Sequence, residues 1–194
     1  MTGTSIHKLS VDWGGLGPDP ETPACGPFNC KGLEIGGGPH PMRPTCTQLD
    51  IRDWSSEVEW QPWFGPTVVG DCHELPFADE SFGYVFASNL LEHFPPTETA
   101  DLLAEWTRVL TPYGELELVV PDCMGILREY FAQREDWRGA MTRLLGGTDE
   151  ERTHHTAFTL TEFPEVIAQV SELELVICRA SHGGCGVHSI SVKI

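Results

Sequence analysis

A short strand, residues 31–35, runs without a break into Gly36-Gly37-Gly38. That junction constrains the fold more than any other stretch. Three successive glycines end a strand abruptly, permit positive φ and let the backbone approach another group closely. The same triplet can also serve as a plain strand-to-loop turn, so its meaning depends on its surroundings. Residues 47–51, 67–70 and 84–87 read as three further short strands. Between residues 97 and 110, Leu102, Leu103, Trp106, Val109 and Leu110 fall on one face at helical spacing, just after Pro95-Pro96. Thr111-Pro112-Tyr113-Gly114 places Pro and Gly where a type I turn accepts them. Leu116, Leu118 and Val120 then alternate in a fifth strand.

The second half continues the alternation. Residues 124–145 give two amphipathic helical pieces, one carrying Leu127, Tyr130 and Phe131, the other Trp137, Met141 and Leu144. A polar loop follows at 146–156. Thr159 and Glu162 then have capping-box spacing ahead of Phe163, Val166, Ile167 and Val170. Residues 173–179 and 187–194 close the chain as two strands joined by His182-Gly183-Gly184-Cys185-Gly186, short enough for an antiparallel pair. Alternating strands and helices imply a mainly parallel sheet covered on both faces. The expected fold is therefore α/β, a Rossmann-like, mainly parallel seven-stranded sheet with one antiparallel C-terminal strand and helices on both faces. Residues 1–30, rich in Gly, Pro and Asp, read as an irregular arm. Residues 31–194 read as a single domain, in which 123–158 departs from a minimal βα repeat.

Composition narrows the partners. Twelve basic and 29 acidic side chains give a formal net charge of −17. A nucleic-acid surface needs clustered Lys and Arg, and this chain's field repels polyanions, so no nucleic-acid substrate is expected. No apolar run approaches membrane-spanning length, and residues 1–15 lack the apolar segment of a secretory signal. A soluble cytoplasmic protein is expected, with no membrane insertion. The seven cysteines include no CxxC pair and read as small buried residues, not a disulfide framework.

In open α/β sheets a ligand lies beyond the carboxyl ends of the strands, at the switch point. The residues expected there are 34–38, Asp50, Asp71-Cys72, Ser88-Asn89 and Pro121-Asp122. Glu34 precedes the glycines where a phosphate-binding loop usually has an apolar residue. Asp50 can accept both hydroxyls of a ribose, and Asp71 can accept from an exocyclic adenine amine. An acidic set of this kind suits a cationic amino-acid nucleoside better than a dinucleotide.

LEIGGGPHP, TQLDI, GDCHELPFADESFGYVFASNLLEHF and EWTRVLTPYGELELVVPD resemble class I S-adenosylmethionine-dependent methyltransferases, most closely a small group whose glycine loop leads into Pro-His-Pro. The resemblance covers about residues 31–122 and extends more loosely to 194. It implies S-adenosylmethionine as cofactor. Glu34, Gly36, Gly37 and Gly38 would border the methionine part, and Asp50 with Ile51 the ribose. Asp71 and Cys72 would border the adenine, and Asn89 the sulfonium side. Two features depart from the pattern. Only 11 residues separate Gly38 from Asp50, and Pro39, Pro41 and Pro44 oppose the usual helix there, so a loop or single turn is expected. Tyr113 stands in a turn that usually reads Pro-Gly-Gly.

The acceptor, whether small molecule, glycan or protein, would be selected by residues 1–30 and 123–158. If it must lose a proton, His154, His155 and His93 are the candidate bases, since imidazoles titrate near neutrality. Each has an ordinary alternative, as a solvated loop residue or a backbone hydrogen-bonding partner. Asp122 fits a helix N-cap better than a catalytic role. His182-x-x-Cys185-x-x-His188 supplies three nitrogen and sulfur ligands, one short of a closed zinc site, and no metal is expected. Two other readings remain: a scaffold that binds the cofactor without catalysis, and a nicotinamide-dependent oxidoreductase. The latter lacks the third glycine of G-x-G-x-x-G, position 41 being Pro.

Overall fold

The computed structural model describes residues 31–54, 66–147 and 152–194. The arm at 1–30, with Cys25 and Cys30, lies outside the described residues. Among the described residues seven strands form one sheet: β1 (Gly32–Ile35), β2 (Thr47–Asp50), β3 (Thr67–Val69), β4 (Phe82–Ser88), β5 (Leu110–Pro121), β6 (Leu173–Ser181) and β7 (Gly186–Lys193). Their spatial order is β3-β2-β1-β4-β5-β7-β6. The first five are parallel neighbours, whereas β7 runs antiparallel to both β5 and β6. This is the Rossmann-like sheet expected, with the single reversed strand at the C-terminus.

Among the described residues four α-helices pack around it: α1 (Thr99–Arg108), α2 (Cys123–Phe131), α3 (Trp137–Leu145) and α4 (Phe163–Ile167). The apolar residues expected at helical spacing are all buried, but the helix ends at Arg108: Leu103 and Trp106 are enclosed on α1, Val109 follows as its C-cap, and Leu110 already belongs to β5. They meet Leu33, Ile35, Val85, Ala87, Leu116, Leu118 and Val187 from one face of the sheet, together with Phe163 and Ile167 from α4. Thr159 accepts the Glu162 amide at 3.1 Å, and its hydroxyl donates to the Glu162 carboxylate, so the pair secures the turn before α4.

Helices α2 and α3 pair around a smaller cluster of Ile126, Ala140 and Cys185. Their buried line is displaced from the expected one. Phe131 and Trp137 stay largely exposed, while Tyr130, Met141 and Leu144 are partly buried. Asp122 caps α2, accepting the Met124 amide at 3.1 Å. Cys72, Cys123, Cys178 and Cys185 are free thiols. Among the described residues no helix is long and apolar enough to cross a membrane.

The turn at 111–114 departs from expectation. Tyr113 has φ +63°, whereas the third residue of a type I turn needs about −90° and that of a type II turn about +80°. The segment is an excursion within β5, since Phe82 pairs with Leu110 and Tyr84 with Glu115. Closing that gap forces the left-handed residue.

Candidate functional site

The sheet order turns back between β1 and β4, so the switch point lies between the loops that follow them. Gly36 still belongs to the sheet, its amide donating to Leu49 O at 2.8 Å. At φ +70° its Cα faces Leu90, and an added Cβ would come within 2.9 Å of Leu90 Cδ1. Gly38, at φ +58°, would present a Cβ to open space. Its amide donates to Asp50 Oδ2 at 3.1 Å, which ties the glycine loop to the end of β2. The other Asp50 oxygen accepts the Arg52 amide. Ile51, beside it, is 67% exposed.

No helix follows the glycines, as the prolines required. The loop is instead held from within. Glu34 is buried, and its two oxygens accept the Met42 and Arg43 amides at 2.7 Å each. Burial raises its pKa, and these hydrogen bonds oppose that shift. Gln48 donates to the Arg43 and Cys46 carbonyls. The Arg43 guanidinium lies over the Phe86 ring, 4.4 Å from its centroid, and donates to Tyr84 and Glu117. Glu34 thus acts first as the support of the loop, and a ligand would meet the backbone that it orders.

Asp71 follows β3, separated from it by Gly70. Its Oδ1 accepts the His73 amide at 2.9 Å and the ring Nδ1 at 2.7 Å, and these bonds lower its pKa. Burial, then the charge of Asp71, push the Cys72 thiol up to about 12, so it does not ionise near neutrality. The Cys72 carbonyl accepts the Trp106 indole N–H at 3.0 Å. The Leu75-Pro76-Phe77 stretch is fastened to α1. Glu105 accepts the Leu75 amide, and Arg108 donates to the Leu75 and Phe77 carbonyls while pairing with Glu105 and Asp79. Asn89 follows β4 at φ +51°, a conformation that Asn tolerates better than most residues.

Two of the three histidine candidates come together. His93 ends a 3-10 turn, Leu91–His93, directly after β4, and its ring meets His154 edge-on at 4.9 Å between centroids. Glu92 joins them: its Oε1 lies 4.0 Å from His154 Nε2. Burial, with the charge of His93, holds His154 down at about 4, whereas burial pushes Glu92 up to about 8. His155 is exposed at the surface, and its amide donates to the Glu92 carbonyl at 2.8 Å. His182, Cys185 and His188 do not converge: His182 Nδ1 sits against the Ser181 hydroxyl, while His188 contacts Glu117 and Arg179.

Comparison with known proteins fits this geometry. Residues 41–118 match a family model, the methyltransferase domain. The matched segment begins just past the glycines and includes Asp50, Asp71 and the Leu91–His93 turn. No curated protein matches the chain. Among solved structures, an S-adenosylmethionine-dependent methyltransferase from Methanosarcina mazei superposes with a TM-score of 0.62 at 20% identity, covering 85% of this chain and 92% of that one. The 1,6-didemethyltoxoflavin-N1-methyltransferase of Burkholderia thailandensis, solved with its substrate and S-adenosylhomocysteine, gives 0.61 at 16% identity, covering 84% and 71%. A third, from Mesorhizobium loti, gives 0.59 at 9% identity, covering 84% and 91%. At these identities the likeness establishes a shared fold.

Sequence reasoning missed Gln48, Glu92, Glu105 and Arg108. Glu92 lies within the segment GDCHELPFADESFGYVFASNLLEHF, and the ion pair of Glu105 and Arg108 within EWTRVLTPYGELELVVPD. Their signal was present, but their roles depend on contacts across the fold.

Proposed function

We propose that this chain is an S-adenosylmethionine-dependent methyltransferase that binds its cofactor over the switch point. The observation that carries the reading is the methyltransferase-domain match across residues 41–118, which spans the carboxylates at the end of β2 and just past β3. The open side of Gly38, the partly exposed Asp50 and the exposed Ile51 fit that cofactor, as a cradle, a ribose acceptor and an apolar cover. Asp71 retains a second oxygen for the adenine amine, with Cys72 beside it. The loop ordered by Glu34 borders the methionine part, and Asn89 faces the sulfonium side. The bound cofactor supplies a methyl group on a sulfonium, which transfers by in-line displacement, so the protein contributes mainly positioning. Glu92, His93 and His154 mark the acceptor side. The acceptor is a small molecule, glycan or protein, and its own chemistry decides whether a base is needed.

Calorimetry with S-adenosylhomocysteine tests the reading: one site per chain is expected, and the absence of heat at millimolar ligand would overturn it. Binding without turnover across a broad acceptor set would favour the scaffold alternative. The nicotinamide reading draws no support from the loop, where Pro41 stands in place of the third glycine.

A further inference from the structure

Glu92 is 1% exposed, and neither of its carboxylate oxygens has a hydrogen-bond partner. A buried carboxylate in that condition is costly, because it has lost water and gained nothing in return. The nearest histidine nitrogen, His154 Nε2, is 4.0 Å away, too far for a hydrogen bond yet within the span of two ligands on one ion. One potential ligand atom from each of Glu92, His93 and His154 lies within 4.8 Å of the other two.

The His93 ring is also oriented from behind. His93 Nδ1 lies 3.2 Å from the Thr153 carbonyl, which can only accept, so that nitrogen carries the proton. An imidazole fixed by a carbonyl through one nitrogen is the usual outer arrangement behind a metal-bound histidine. The backbone holds the three residues together independently of any ion. The Glu92 carbonyl accepts the amides of His155 at 2.8 Å and Thr156 at 3.0 Å, which pins the 153–156 segment against the 3-10 turn.

We propose that Glu92, His93 and His154 form a binding site for one divalent transition-metal ion of the zinc class. A carboxylate with two imidazoles suits such an ion, and three protein ligands leave a coordination position open. The ion would satisfy the carboxylate that the protein leaves unpartnered. Its binding does not depend on methyl transfer. If the methyltransferase reading holds, the open position faces the acceptor side.

The test is a titration of the chelator-treated full chain with Co2+, read by the visible ligand-field band and by paramagnetically shifted imidazole resonances. Competition with Zn2+ follows by calorimetry. One equivalent per chain is expected, with shifted signals from two histidines. Glu92→Gln and His154→Ala should each weaken binding at least tenfold. His73→Ala and His182→Ala, which alter the other His- and Cys-bearing clusters, should leave it unchanged. Circular dichroism and a thermal melt establish that each variant is folded, and His154, being partly exposed, provides the variant if Glu92→Gln does not fold. No stoichiometric binding by the wild type, or wild-type affinity in folded His154→Ala, would overturn the proposal. Metal binding without S-adenosylhomocysteine binding would retain this site and reject the methyltransferase reading.

Discussion

Asp50 joins two tasks in one carboxylate. Its Oδ2 orders the glycine loop through the Gly38 amide, and in the proposed cofactor site its position at the end of β2 would present the group to a ribose. Asp50→Ala should weaken S-adenosylhomocysteine binding by about tenfold or more, the scale of a charged hydrogen-bond pair. A calorimetric titration of a folded variant with unchanged affinity would remove the ribose assignment. Tyr113 allows a test of stability alone. Its side chain is 82% exposed, so it contributes little packing, while its φ of +63° carries a steric cost that glycine avoids. Tyr113→Gly should stabilise the fold by about 0.5–1 kcal/mol in urea denaturation, offset only in part by the extra entropy of the unfolded chain.

At the scale of elements, the site is set by what fastens its loops. α1 does more than cover the sheet: Glu105 and Arg108, near its C-terminal end, grip the segment that follows Asp71. Glu105→Ala removes the acceptor for the Leu75 amide and an arginine partner, without touching the residues of the proposed cofactor site. We expect about 1–2 kcal/mol lower stability and roughly fivefold weaker S-adenosylhomocysteine binding. Equal affinity in the variant would show that α1 does not position this loop. The loop after β1 shows the same logic. Prolines barred a helix, which was legible in the sequence, but the replacement was not. Glu34 reads locally as a residue facing the ligand, and only the folded chain shows its oxygens filled by amides eight and nine residues on.

Across the whole molecule, the sheet carries a partly buried ionic network linking the glycine loop to the C-terminal hairpin. Glu117 joins Arg43, Tyr84 and His188. Burial alone would raise its pKa, but His188, Tyr84 and Arg43 more than reverse this and hold it at about 2. A carboxylate depressed in this way adds stability that is complete above its unfolded value of about 4.3 and is lost as pH falls towards 2. That contribution is on the order of 3 kcal/mol. Chemical denaturation between pH 5 and 2 should therefore show a steep loss in the wild type and a shallower slope in Glu117→Gln. The variant would start less stable at neutral pH, because Arg43 loses its partner. The sequence by itself determined the alternation of strands and helices, the buried face of α1, the lone antiparallel strand and the acidic strand ends. Periodicity, prolines and glycines act locally, and local rules suffice for those. The tertiary structure alone decided that Tyr113 is left-handed, that Glu34 supports a loop, and that Glu92 meets His154 from 62 residues away. Such contacts depend on where distant segments are brought by burying a common core, which no local pattern encodes.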